Sequence, residues 1–265
     1  MALILRGSVP QITAAISSFD QTFHLGYFAV RQAAAAHLLG KNGRTRRSAE
    51  NLAYLLRNAL REWSMGQQKA PHFTAGGVSA AAAFLTNGAV MLDLLSVADV
   101  SVADLGLDGR KRLGPLGISP DQVDLHYYDS LLSCAAKLFA GATNVTYPMK
   151  AMLLLTGFMP AFDSQVRGGL ARAGFKGLAG TRHLLPRAFD NPIAKKTAAL
   201  PYWLGQCWKN HMAAFHAAAK ASGYPELANE PGRLFDVLLF TQCDAATPLL
   251  LEWVDDGQGN WYDLS

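Results

Sequence analysis

The stretch YPMKAMLLLTGFMPAFDSQVRGGLARAGF, Tyr147–Phe175, decides how the chain is read. Met149 to Leu155, apolar apart from Lys150, has no β-branched residue, which favours helix. Gly157 to Pro160 then reads as a turn. Asp163 stands directly ahead of Ser164-Gln165, where a short oxygen-bearing side chain caps the first amides of a helix. A second helix is therefore expected from Asp163 to Ala173, ending at Gly174.

The same pattern extends outward in both directions. Phe19 to Leu39 repeats Phe23, Tyr27, Val30 and Ala34 at helical steps, with Gly40 or Gly43 as its end. Ser48-Ala49-Glu50-Asn51 opens a helix through Leu52, Leu55, Leu56, Ala59, Leu60 and Trp63 to about Met65, and Ser79 to Leu85 is helical. Ser119-Pro120-Asp121 is a helix start with Pro at the first position, leading through Leu125, Tyr128, Leu131, Leu132 and Leu138. Pro201 to Lys220 is a long helix with Trp203, Cys207, Trp208, Met212 and Phe215 along one side. Leu234 to Thr241 and Pro248 to Val254 follow the break at Pro231-Gly232. Alternating β-branched runs are nearly absent. The expectation is an all-α, compact multi-helix domain over residues 1–265, or two helical subdomains with a cleft between them. No compositional linker forces a boundary.

Composition narrows the class. The 265 residues are 50% hydrophobic and 17% charged, which excludes an intrinsically disordered chain. No apolar run approaches membrane-spanning length, so no membrane partner is expected. Met1–Ala15 has one arginine and no long apolar centre, which argues against a secretory signal. Cys134, Cys207 and Cys243 are odd in number and lack ligand spacing. A disulfide framework, a zinc site or any other metal or cofactor is therefore not expected, and the setting inferred is the cytoplasm.

The net charge of +4 is segregated. Lys41 to Lys69 holds seven basic residues against Glu50 and Glu62, and Gln165 to Lys220 holds nine against Asp190. Asp93 to Asp129 holds seven aspartates, and Ala221 to Ser265 holds eight acids against Arg233. Two basic segments folded onto one face would suit a polyanion; alternatively each excess neutralises its opposite within the fold.

The order of apolar helix, Pro-containing turn, Asp163, Ser164-x-Val166-Arg167 and the closing Arg172-x-Gly174 resembles the core of the helix-hairpin-helix DNA glycosylase superfamily. In that family a short helix leads through a loop to Asp-Thr-x-Val-x-Arg, and the next helix ends Arg-Leu-Gly. The likeness covers about thirty of the 265 residues. It implies a glycosylase-like helical fold and a hydrolase of DNA repair, acting on double-stranded DNA at a damaged or modified base. On it, Asp163 falls on the catalytic aspartate, with Ser164 in the place of the usual Thr. Lys150 falls near the Schiff-base lysine of members that also act as lyases. Arg167, Arg172, Lys176, Arg182, Arg187, Lys195 and Lys196 are then the candidates for phosphate contact.

The chemistry is coherent. Cleavage of a glycosidic bond passes through an oxocarbenium-like state that a carboxylate stabilises or traps. A lysine at a helix start is disfavoured as the ammonium, which suits attack on a sugar carbon. The target base must leave the duplex to be reached. Each residue also has a plainly structural reading: Asp163 as a helix cap, Lys150 as a solvated lysine, Arg167 and Arg172 as a surface face. Where the family carries a glycine-rich hairpin, this chain has Asn144-Val145-Thr146-Tyr147-Pro148, and the interval from Lys150 to Asp163 is short. These features favour the alternative: a non-catalytic helical protein that retains part of the scaffold and binds a protein partner.

Other constellations carry less. His211 and His216 are five apart and lie on different helix faces. Asp20 and His24 form an i, i+4 pair read as a structural hydrogen bond, and His126 with its neighbouring aspartates is similar. Asp121, Asp124 and Asp129 lack the ligand spacing of a calcium loop. Nucleophile-elbow, phosphate-loop and HExxH motifs are absent. Cys134 and Cys207 read as buried thiols. Tyr202, Trp203, Trp208 and Phe215 read as core, with base stacking as the alternative.

Overall fold

The computed structural model describes residues 2–40, 44–65, 71–87, 94, 97, 98, 100–105, 130–140, 145–175 and 192–254, with backbone alone for 192–196. The expected helix start at Ser119-Pro120-Asp121, and His126, lie outside the described residues. The elements in chain order are β1 (Ala2–Leu5), α1 (Val9–Ser18), α2 (Gln21–Ala34), α3 (Arg46–Glu62), α4 (Gly77–Thr86), α5 (Thr146–Thr156), α6 (Ser164–Arg172), α7 (Pro192–Ala221), α8 (Pro231–Gln242) and β2 (Leu251–Val254). The protein is mostly helical, as its sequence leads one to expect. It divides into two units, each assembled from segments distant in the chain.

One unit comprises Asp20–Val100 and Ser130–Ala161. Here α2 packs on α3 and α5, and α3 packs on α4. The expected single helix from Phe19 to Leu39 starts two residues later, because Asp20 is its cap: the carboxylate accepts from the Thr22 amide and hydroxyl, both at 2.8 Å. The helix passes into a π-turn over Ala35–Leu39. Likewise α3 opens earlier than Ser48. Thr45 is its cap, and Ser48 is the returning partner of a capping box, with N–H···O distances of 3.1 Å in both directions. Buried His37 joins three elements, with one ring nitrogen 2.8 Å from Ser48 Oγ and the other 3.0 Å from Leu85 O.

Helix α5 is buried on every side from Pro148 to Thr156, the mark of a helix at the centre of its unit rather than on a surface. Its end is closed three ways. Gly157 takes the left-handed conformation (φ 67°) and donates to Leu153 O at 2.8 Å; Arg31 donates to Leu155 O at 2.7 Å; Thr156 Oγ donates to Met152 O at 2.7 Å.

The other unit comprises Met1–Phe19, Ser101–Asp129 and Phe162–Ser265. In it α6 packs on α8, α1 on α7 and α8, and α7 on β1. The α6–α8 approach is set by Gly169: a Cβ there would collide with the Leu239 carbonyl. Gln242, fully buried, fastens three elements. Its Nε2 donates to Gly169 O at 2.7 Å, and its Oε1 accepts from the amides of Leu250 (3.1 Å) and Leu251 (2.9 Å).

Three departures from the sequence reading belong to this unit. Helix α7 begins at Pro192 rather than Pro201 and consists of two helical stretches meeting at His211 (φ −127°, ψ 17°). Pro231 does not interrupt; it starts α8 at a first-turn position where a proline's missing N–H costs nothing. Finally, Leu251–Val254 is a strand, antiparallel to Ala2–Leu5 with Leu3 opposite Trp253 and Leu5 opposite Leu251. The apolar cluster of Trp208, Phe215 and Phe235 is core. Trp208 and Phe215 stack at 4.9 Å, and Phe235 meets Phe215 edge-on at 5.4 Å. Tyr202 and Trp203 are buried with them, so this stripe offers no surface to a base.

Candidate functional site

Asp163 has extended backbone (φ −77°, ψ 179°) and caps α6. Its Oδ1 accepts from the amides of Gln165 (3.1 Å) and Val166 (3.0 Å), which fixes the carboxylate at the head of the helix. Arg167, one turn on, turns back: its amide and its Nε both donate to Asp163 O, at 3.0 and 3.2 Å. The local order expected from sequence is thus present along the chain, as apolar helix, left-handed Gly157, Asp163 cap, then α6. Asp163 and Arg167 are brought together, with the aspartate's carbonyl accepting from the arginine.

Lys150 differs from its expected setting. Since α5 begins at Thr146, Lys150 lies in the second turn and not at the helix start. It is only 8% exposed, and its Nζ donates to Trp63 O at 3.0 Å. The ammonium lies 6.0 Å from the centre of the Trp63 ring and 5.4 Å from that of Tyr147, a cation–π setting. Tyr147 donates its hydroxyl to Ser64 O at 2.9 Å. Trp63 and Ser64 are the residues where α3 ends, Ser64 with φ 73°. Lys150 and Tyr147 therefore supply donors to terminal carbonyls of α3, the end of a helix that favours a cation.

Arg172 is committed to the turn after α8. Its guanidinium donates to the carbonyls of Gln242 (2.8 Å), Asp244 (2.6 Å) and Thr247 (2.7 Å), closing the C-terminal end of that helix. Lys176, Arg182 and Arg187 lie outside the described residues. Lys195 and Lys196 lie in the first turns of α7, where only the backbone is described.

The basic stretch from Lys41 to Lys69 resolves largely into α3. Its arginines lie away from the apolar face formed by Ala49, Leu52, Ala53, Leu56, Ala59 and Leu60. Charge counting along the sequence finds these arginines but misses Tyr54, which stands among them; the spacing of Arg47, Tyr54 and Arg61, seven apart, is the signal that would find it. Elsewhere, burial pushes the Cys207 thiol up to about 12, in keeping with an inert core residue. The Thr22 amide and hydroxyl hold the Asp20 carboxyl below its ordinary value. Among the described residues, no group of three or more His, Cys, Asp or Glu side chains is placed to hold a metal ion. None of the helices among the described residues is long and apolar enough to cross a membrane.

Compared with protein-family models, curated proteins and solved structures, the chain matches none.

Proposed function

We propose that the chain is a cytoplasmic, DNA-binding protein of the helix-hairpin-helix glycosylase kind, acting on a damaged or modified base in double-stranded DNA. The observation that carries this reading is the placement of Asp163. Two amide hydrogen bonds to Oδ1 hold its carboxylate in one orientation at the head of α6. A carboxylate so fixed needs little reorganisation to meet the positive charge that develops on the sugar ring as the glycosidic bond breaks. The base would be turned out of the duplex first, and basic side chains would hold the phosphates.

Single-turnover excision on duplexes carrying oxidised, alkylated or deaminated bases tests it. Asn caps a helix as Asp does, so Asp163→Asn is expected to keep the fold and DNA affinity while losing excision. No excision by folded wild-type protein on any of these substrates overturns the reading.

One observation favours a second reading, a non-catalytic helical protein that keeps part of this scaffold and binds a partner protein. Lys150 is buried and bonded to the end of α3, an arrangement that serves packing and not attack on a sugar. Base excision separates the two, since the scaffold releases no base; borohydride trapping then reports only whether a lyase step, lost in Lys150→Ala, is added to excision.

A further inference from the structure

We propose that the outer face of α3 is a docking surface for single-stranded nucleic acid, with Tyr54 as the platform on which a base stacks and Arg47, Arg57 and Arg61 on the phosphates. The proposal rests on the nucleic-acid reading above, but on none of its catalytic residues.

Helix α3 carries two opposed stripes. The inner stripe is wholly apolar and buried. The outer one runs Arg47, Asn51, Tyr54, Asn58, Arg61, at steps of four, three, four and three residues, which keeps it on one side of a helix. At about 1.5 Å per residue its two arginines are roughly 21 Å apart, the length of about six stacked nucleotides at roughly 3.4 Å each. Arg57 flanks Tyr54 one turn on.

Arg47, Asn51, Tyr54 and Arg61 are exposed, and Arg57 and Asn58 are half-buried. Tyr54 is 55% exposed and, among the described residues, has no ring against it. Arg46 is matched by Glu50 at 2.9 Å, whereas no carboxylate among the described residues lies within ion-pair distance of Arg47, Arg57 or Arg61. The first turn of α3 contains no acid, so Arg46 and Arg47 stand at the end of a helix that repels cations. An exposed aromatic inside a helix, with Arg57 one turn on and Arg47 and Arg61 two turns away on either side, departs from what stability alone selects; departures of that kind gather at functional surfaces.

The stripe's chemistry selects the occupant. Arginines alone would suit any polyanion. A ring lying on a convex helix can stack only on a base whose face is open, and duplex bases are covered by their neighbours. Single strands are held by this pairing of aromatic platforms with a cationic track. Asn51 and Asn58 add amide donors and acceptors beside the ring.

The test is fluorescence anisotropy with a labelled twelve-residue oligothymidine and a duplex of equal length, titrated with the full chain, with polyglutamate as competitor. Wild type is expected to bind the single strand through Tyr54, separately from any duplex binding at the Asp163 site. Tyr54→Ala should weaken single-strand binding from about fivefold to over a hundredfold, and Tyr54→Phe should restore most of it. Arg47→Glu with Arg61→Glu should flatten the log–log salt dependence by about 1.4, roughly 0.7 for each single-strand phosphate no longer neutralised. Circular dichroism of each variant should match wild type, since all these side chains are on the outer face. Equal affinity for duplex with no effect of Tyr54→Ala overturns the proposal in favour of duplex binding. Displacement by polyglutamate at equal charge overturns it in favour of an acidic protein. Excision lost only in Asp163→Asn, with Tyr54→Ala binding as wild type, sinks this surface and leaves the glycosylase reading standing. Tyr54-dependent binding without any excision does the reverse.

Discussion

The ammonium of Lys150 lies 3.0 Å from the carbonyl oxygen of Trp63, so a side chain from the second turn of α5 closes the last turn of α3. The same pair sits under two aromatic rings, with Tyr147 bonded to the next carbonyl. Lys150→Met would keep the aliphatic bulk but leave the Trp63 carbonyl without this donor. The expected loss is about 1–3 kcal/mol of unfolding free energy, measured by urea titration. Tyr147→Phe should cost about 1 kcal/mol by the same logic. A Lys150→Met protein as stable as wild type would show that the bond contributes nothing.

At Asp163 the fold and the chemistry separate cleanly by substitution. Asp163→Ala removes both cap bonds to α6 and should lower stability by about 0.5–2 kcal/mol, whereas Asp163→Asn should cost only a few tenths. Thermal unfolding of the two variants, run beside the excision assay, distinguishes a side chain needed for capping alone from one needed for catalysis.

Gly169 has no room for a side chain. A methyl group at this position would meet the Leu239 backbone carbonyl, which cannot rotate away as a side chain could. Gly169→Ala should therefore cost about 1–3 kcal/mol, toward the upper end because the neighbour is backbone. It should also loosen the Gln242–Gly169 bond that joins α6 to α8. Hydrogen exchange at the Leu250 and Leu251 amides, both held by Gln242, is the local readout.

Burial raises the Cys207 thiol from 9.0 to about 12. In the unfolded chain the thiol ionises at the lower value, so between the two values unfolding releases a proton. The stabilising effect is complete below pH 9 and is lost as pH rises towards 12. Alkaline stability should thus fall less steeply in Cys207→Ala than in wild type across that window, measured by denaturant midpoints from pH 8 to 11. Parallel slopes would show that Cys207 is not the group responsible.

Legibility in the sequence follows the range of the interactions. Helix α3, by its apolar periodicity, and α6, by its Asp163 cap and closing Gly174, can be placed within a few residues, because those signals are local. Asp163 as a cap is equally local. What escapes is set by distant partners. The strand Leu251–Val254 is four residues long and takes its identity from Ala2–Leu5, a pairing no local pattern announces. Lys150 reads as a solvated lysine because the carbonyl that buries it is 87 residues away. Arg172 reads as a phosphate ligand because the turn it closes follows α8, 70 residues on. The early caps at Asp20 and Thr45 are local too, but the stronger apolar periodicity beside them masks their signal.

The pairing of Ala2–Leu5 with Leu251–Val254 also constrains the order in which the units can assemble during synthesis. The unit built on Asp20–Val100 and Ser130–Ala161 has all its segments once residue 161 has left the ribosome. The unit that contains β1 must wait for residues 162–254, about 5–20 s later at usual elongation rates. During that interval the segments of α1 and β1 lack α7, α8 and β2, so the residues those elements bury (Leu3, Ile12, Ile16) stay open to a nascent-chain chaperone. Segments made before the first unit thus find their places only after it is complete.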